Sequence, residues 1–470
     1  MNVLLKIISV VCNFLWGDLF TIPLPGGSSI GISLLVLILV PTGIYFTILT
    51  KFLPVRCFPE MIRVTLEKQP SGKRSGISGF QALVVSTATR VGMGNMVGVV
   101  AAIAAGGAGA VFWMWVTALI GSSTAFIEAT LAQLHKQEDP LYGGYRGGPA
   151  YYIHNFFTKG KTKRYSILAV LFALSGLLCW CGVSQVISNS VSDAFYNAFE
   201  IPPIVSTVFL VALSAIIVLR KNATVKVLDI VVPVMAAFYF VIAVFVIVKN
   251  IGLMPTVLEN IVKDAFGLRQ VAAGAFGAAL MNGVKRGLFS NEAGSGSAPC
   301  AAAAADVDHP AKAGLFQAFG VFIDTIVICS CTAFIMLLAP ERLLEGLSGM
   351  ALLQTAMDYH FGKVGVVFIA IALWLFSFST FIGCLYYARS NVAYLFGDNW
   401  KSQTAYKILA LVMLFIGGLA AYTFVWDLGD IGVGLMTVFN IIAILPMGKQ
   451  ALFALKDYEE QKKSAKENLD

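Results

Sequence analysis

A chain of 470 residues that is 58% hydrophobic and only 13% charged, with a mean hydropathy of +0.80, is too apolar to fold as a soluble domain of that length. The net charge of +7 does not mark a nucleic-acid binder, because the basic residues sit in short stretches between apolar blocks and not on one soluble face. The eight cysteines fall in or beside those blocks, with no small secreted domain for disulfides to staple. Cys179 and Cys181, like Cys329 and Cys331, point about 200° apart on a helix, which excludes chelation of a metal from one face.

Residues 1–20 carry Lys6 and Asp18 and no small-residue cleavage site, so they read as an interfacial amphipathic segment and not as a cleaved signal peptide. Apolar blocks of about 20 residues follow, the length a helix needs to cross a hydrocarbon core of roughly 30 Å. Punctuation by turns and charges gives eleven spans: 31–53, 80–104, 108–134, 165–192, 202–220, 226–249, 271–288, 314–338, 363–391, 405–424 and 429–446. The expected fold class is an all-α polytopic membrane protein.

Lysine and arginine are retained on the cytoplasmic side of a membrane. Taking alternate connections, with 285–312 counted among the cytoplasmic ones, 26 basic residues fall on one side and 6 on the other, and Arg90 alone lies in the middle of a span. This predicts an N-terminus outside and a C-terminus in the cytoplasm. Residues 1–79 then form an interfacial segment, an extra transmembrane helix and a basic cytoplasmic loop. Two five-helix units of opposite orientation follow over 80–249 and 250–447, with a cytoplasmic tail from 448 to 470.

Inverted repeats of this kind mark transporters, and each unit is expected to open with a helix broken in mid-membrane. Ser86-Thr-Ala-Thr-Arg-Val-Gly92-Met-Gly94-Asn95 supplies closely spaced glycines in the first unit, and Val271-Ala-Ala-Gly274-Ala-Phe276-Gly277 does so in the second. Glycines of this spacing also serve close helix packing. Their matched positions, with Asn95 alongside, point to a site. An unwound turn frees amides that suit a carboxylate and carbonyls that suit a cation. Here the amides lie near Gly94 and Asn95, and the carbonyls are those of Ala88 and Val91. Ser377, Ser379 and Thr380 add hydroxyls of the kind sodium prefers, although such residues often bond back to the carbonyl one turn earlier.

Three carboxylates lie more than two residues inside a span: Glu128, Asp229 and Asp324. Asp229 lies near a cytoplasmic end, where water can reach it. Glu128 and Asp324 occupy the second helix of their respective units and, with Arg90, are the candidates for gating or coupling; for the two acids a structural hydrogen-bonding role carries equal weight. The four histidines, His135, His154, His309 and His360, lie in loops or at helix ends and make no catalytic constellation, so no enzyme is expected. Single breaks in two inverted units favour alternating access over a channel pore.

The chain resembles the alanine or glycine:cation symporters of bacteria and archaea. The resemblance rests on Val91-Gly-Met-Gly-Asn95, Gly106-Gly-Ala-Gly-Ala-Val-Phe-Trp-Met-Trp115, Gly147-Gly-Pro-Ala-Tyr-Tyr152 and Arg286-Gly-Leu-Phe-Ser-Asn-Glu-Ala-Gly-Ser-Gly-Ser-Ala-Pro299. The first of these is also similar, more distantly, to the leucine transporter and its neurotransmitter:sodium symporter relatives. The resemblance implies a leucine-transporter-like fold. It also implies a cation site at Ala88, Val91, Ser379 and Thr380, and substrate contacts at Met93, Gly94, Asn95, Phe276, Gly277 and Trp374. Met93 departs from the threonine many members carry there, and Cys384-Leu385 departs from an expected glycine or tryptophan followed by an aromatic.

The function expected is sodium-coupled symport of a small neutral amino acid, alanine or glycine, across a bacterial inner membrane, with sodium as the co-transported ion. The alternatives are glutamine or another neutral amino acid as cargo, or coupling to protons. No nucleic-acid partner is expected.

Overall fold

The computed structural model describes residues 2–23, 29–67, 90–159, 165–220, 224–268 and 275–467. Most of the described chain is helix. In lipid this follows from the need to satisfy every backbone amide and carbonyl within its own segment. The helix starts are set by short polar side chains that accept from otherwise unpaired amides. Ser33 accepts from Val36 N–H at 3.2 Å, Ser166 from Ala169 N–H at 3.4 Å, and Asn399 from Ser402 N–H at 2.9 Å.

Five described helices are long and apolar enough to cross a membrane: Gly109–Leu134, Ile167–Phe199, Pro310–Leu337, Lys363–Phe396 and Tyr422–Ala465. The pair Pro233–Lys249 and Ile251–Ala265, bent by 74°, adds a sixth at most. Shorter apolar helices cover Leu34–Leu49, Gly94–Gly106 and Pro203–Val218. Outward-facing side chains such as Phe209, Phe238 and Val248 are well exposed, a surface suited to lipid and unsuited to water.

The helices Ile167–Phe199 and Tyr422–Glu467 pack closely. A Cβ on Gly432 would come within 2.3 Å of the Cα of Cys179, so only a glycine allows this approach. The last helix has 46 residues and so extends about 70 Å, more than twice the hydrocarbon thickness. The stretch read as a tail from 448 is therefore helical as far as Glu467. It docks on the short helix Phe58–Leu66 through Glu60, which pairs with Arg63 at 2.6 Å and also receives hydrogen bonds from Tyr458 and Lys462. Burial pushes the Glu60 carboxyl upward, but its bonds to Arg63, Lys462 and Tyr458 outweigh that and hold it at about 2.

The N-terminal segment forms the helix Asn2–Trp16, followed by an antiparallel pair of strands, Phe20–Pro23 and Ser29–Ile32. Trp16 anchors that helix to the last one, its Nε1–H donating to the Asp430 carbonyl at 3.0 Å. One element of the charge count is corrected here. Lys285 and Arg286 belong to no loop; they lie within the helix Ala275–Asn291, where Arg286 is buried.

Candidate functional site

The first break lies where the sequence predicts it. Residues 91 and 92 are bent, and helix resumes at Met93, widening into a π turn over Gly94–Gly98. Such π turns collect at functional positions. The restart leaves amides without helical partners. Gly92 N–H finds the Asn95 side-chain oxygen at 2.9 Å, and Met93 N–H finds the Thr380 hydroxyl at 3.2 Å. Thr380 in turn donates to the Phe376 carbonyl at 2.9 Å, which fixes its oxygen at the break. Ser379 is fully buried one residue earlier and donates to the same carbonyl at 2.8 Å. Ala88 lies outside the described residues, as does 80–89 generally; Val91 is buried at the bend itself.

Among the described residues the second break lies at Glu292, and the predicted one falls partly outside them. Residues 271–274 are outside the described set, but from Ala275 to Asn291 the helix runs on without interruption. It ends at Glu292, a non-glycine residue in the left-handed region at φ 59°, and resumes only at Pro299–Ala302. Gly294 between them has φ 97°, a conformation side chains rarely adopt, and a Cβ there would meet Leu39 at 2.9 Å. Phe276 and Gly277 accordingly lie within the continuous helix Ala275–Asn291. Phe276 packs edge-on against Trp113 with ring centres 5.9 Å apart, at the far end of the helix. The two helix segments run antiparallel: Gly106 approaches Ala278 and Asn282, while Gly94 approaches Ser290. The breaks thus meet at Gly94 and Glu292.

Between them lies a cavity of about 30 Å³, walled by Met93, Gly94 and Thr380 on one side and by Phe289, Glu292, Ser295 and Ser297 on the other. Trp180, Val183, Cys179, Cys384, Leu288 and Val433 complete it. Trp374 does not take part. It stacks between Phe209 and Phe378, with ring centres 6.1 and 6.0 Å away, and Phe209 faces outward. The tryptophan at the cavity is Trp180. Asn95 stands at the break but behind it, fully buried, and its amide is committed to Asp324 Oδ1 at 2.7 Å and to the Ser290 hydroxyl at 3.3 Å.

The two intramembrane acids each support a break in a distant part of the chain. Asp324 sits in a π turn, Phe322–Cys329, facing that of Asn95, and also accepts from Ser290 at 3.0 Å and Thr325 at 2.6 Å. Glu128 on the helix Gly109–Leu134 accepts the Gly294 amide at 3.1 Å and the side-chain amide of Asn440. Asn440 donates as well to the Gly294 carbonyl at 3.0 Å and accepts from the Tyr152 hydroxyl. The opened turn is thereby supplied with the partners lipid would deny it. Asp229 has no described side chain.

Ion pairs flank the cavity on opposite sides. Arg90, 1% exposed by side chain, lies 4.0 Å from Glu292 and donates to the Gln317 carbonyl at 3.1 Å; Glu292 also accepts from the Tyr387 hydroxyl at 3.2 Å. Toward the other side, Arg286 forms a two-pronged pair with Asp430 at 3.0 and 3.1 Å, joined by Lys285 at 2.7 Å. The Arg286 guanidinium lies 3.9 Å from the Trp426 ring, which packs against Phe289 at 5.0 Å between ring centres, so this cluster roofs the cavity. Glu292, Arg286 and Asp430 were missed as site residues in the sequence, although two of them belong to its longest signature.

Compared with known proteins, residues 26–470 match the model of the sodium:alanine symporter family. The chain belongs to that family. The symporter is 46% identical over 437 residues to the probable sodium/glutamine symporter GlnT of Bacillus subtilis (strain 168), covering 92% of this chain and 89% of that protein. It is 32% identical over 469 residues to the sodium/alanine symporter AgcS of Methanococcus maripaludis, covering 98% and 99%. Among solved structures it is similar in fold to MhsT in complex with L-phenylalanine, with a TM-score of 0.59, 15% identity, and coverage of 79% of this chain and 89% of that one. The symporter is therefore a multi-pass membrane transporter of leucine-transporter-like fold and not an enzyme. It couples amino-acid movement to sodium, which is co-transported.

Proposed function

We propose that the cargo is a small neutral amino acid, alanine or glycine, moved with sodium across a bacterial inner membrane by alternating access. The observation that carries this reading is the meeting of two broken helices at one tight cavity, with a fixed hydroxyl and unpaired-by-helix amides on its wall. The sodium ion belongs beside the Thr380 oxygen, with Ser379 and the carbonyls of Ala88 and Val91 completing its shell. The cargo carboxylate belongs at the restart amides near Gly94 and Asn95, at the positive end of the helix that follows. Trp180, Phe289 and Met93 leave little room for a side chain, which favours alanine and glycine over glutamine.

The architecture we infer has eleven spans, an extra helix within 1–79 and two inverted five-helix units over 80–249 and 250–447. What supports it is the matched placement of Glu128 and Asp324, each on the second helix of its unit and each reaching the break of the other. The N-terminus is outside and the C-terminal helix ends in the cytoplasm. With Lys285 and Arg286 removed from the cytoplasmic count, the excess of basic residues on that side stays large.

The test is uptake of labelled alanine by the protein reconstituted in liposomes, under an inward sodium gradient and then with potassium in its place. Unlabelled glycine, serine and glutamine serve as competitors. Sodium-dependent accumulation displaced by glycine and serine is expected. Preference for glutamine, whose transport the name of one relative suggests, would overturn the cargo and keep the ion.

A further inference from the structure

An amino acid enters the cavity as a zwitterion, yet most of the wall is apolar: Met93, Val183, Phe289 and Cys384 are typical of it. A charged group buried there costs several kcal/mol unless an opposite charge or hydrogen bonds meet it. The carboxylate end has the restart amides and the sodium ion. Those are donors and a cation, and none of them can receive an ammonium group. Among the described residues, the carboxylate that lines the cavity is Glu292.

Its geometry suits that task. Glu292 sits on the opened turn facing Gly94, with its side chain 13% exposed and its backbone in the left-handed region. The Tyr387 hydroxyl donates to it at 3.2 Å, and the Arg90 guanidinium stands 4.0 Å behind it. At that distance the ion pair is looser than the two-pronged Arg286–Asp430 fork at 3.0 and 3.1 Å. These contacts hold the carboxylate in the wall of the cavity it lines. We propose that Glu292 receives the α-ammonium group of the transported amino acid, with Arg90 and Tyr387 as positioning residues. The proposal rests on the amino-acid reading above and deepens it: the site selects a free α-amine, and so discriminates amino acids from the corresponding hydroxy acids and simple carboxylates.

The experiment compares wild type, Glu292→Gln, Glu292→Asp and Tyr387→Phe in liposomes under an inward sodium gradient. Uptake of labelled L-alanine is competed by unlabelled L-alanine, L-lactate or propionate. Wild type should favour alanine over lactate by at least 100-fold. Glu292→Gln should weaken alanine at least 30-fold while leaving lactate within about threefold, so that the ratio collapses, with half-saturation by sodium shifted less than threefold. Where uptake is too slow, the same ratio is read by calorimetric binding to the purified variant. Tyr387→Phe, which removes one aiming contact, should raise KM for alanine three- to tenfold at near-normal kcat. Because Glu292→Asp keeps the charge, it should retain most of the alanine preference; it serves with Tyr387→Phe if Glu292→Gln does not fold.

An alanine-to-lactate ratio unchanged in Glu292→Gln would overturn the proposal. So would a tenfold or larger shift in sodium half-saturation with the ratio intact, which would assign Glu292 to the cation. If wild type takes up glutamine and not alanine, the cargo reading fails by itself, and the Glu292 proposal is then judged on glutamine against its 2-hydroxy analogue.

Discussion

Replacing Glu128 by glutamine tests whether the second break depends on an acid 166 residues away. Glu128 offers two oxygens, one to the Gly294 amide at 3.1 Å and one to the Asn440 amide. Glutamine offers one oxygen and one NH₂ group. With its oxygen toward Gly294, its NH₂ meets that of Asn440; with the ends exchanged, its NH₂ meets the Gly294 N–H. Rotating Asn440 gives no relief, because its oxygen would then face the Gly294 carbonyl now bonded to its nitrogen at 3.0 Å. Each arrangement loses a hydrogen bond, worth about 0.5–1.5 kcal/mol, and strands a buried donor at about 1–3 kcal/mol, which together give about 2–4 kcal/mol. Expressed in the opened turn, that is roughly a 30- to 1000-fold loss in alanine affinity. Calorimetry on the purified variant, with thermal unfolding followed in parallel, reads both consequences. A variant that binds alanine within threefold of wild type and unfolds at the same temperature would refute the reasoning.

Thr380→Val keeps the shape but removes the oxygen held at the first break, so the sodium concentration for half-maximal uptake should rise at least tenfold. Trp374→Phe, on the opposite face of the same helix, should change it less than twofold. Asp430→Asn leaves Arg286 and Lys285 with a weakened partner in the roof. Breaking a buried pair costs about 3–5 kcal/mol, and Cys384 should react with a membrane-impermeant methanethiosulfonate at least tenfold faster. Glu60 provides a pH dependence. Its folded carboxyl is depressed to about 2, so its contribution is complete above the ordinary carboxylate range and is lost as pH falls from about 4.5 toward 2. Spin labels at positions 55 and 456 should keep their separation at pH 5 and spread as pH falls through 3; separation that widens already between pH 7 and 5 would contradict this.

The first break was legible because Gly92 and Gly94 stand beside Asn95, a polar residue with no reason to be in lipid unless it meets a partner. Around Gly277 the same kind of signal marked a continuous helix, because closely spaced glycines read alike whether a helix opens or packs. The opening described at Gly294 and Gly296 stood in the motif Arg286 to Pro299, and Glu292 in the left-handed region could not be foreseen from residue type. Trp374 could have been rejected from the sequence, since six residues at about 100° each place it some 240° around the helix from Thr380. The partners of Arg90, Asn95 and Asp324 were out of reach, because long-range pairing leaves no trace in local periodicity. Lys285 and Arg286 looked cytoplasmic since their counter-charge, Asp430, comes 144 residues later than Arg286.

Those separations bear on how the protein is made. Asn95 and Asp324 are 229 positions apart, so the first broken helix leaves the ribosome long before the acid that steadies it. At about 5–20 residues per second the interval is on the order of tens of seconds. During that time an opened turn with a bare amide must be sheltered by water or by the insertion machinery, because lipid offers it nothing. Variants at Asp324 should consequently reach the membrane in smaller amounts, cleared by quality-control proteases before their transport can be measured.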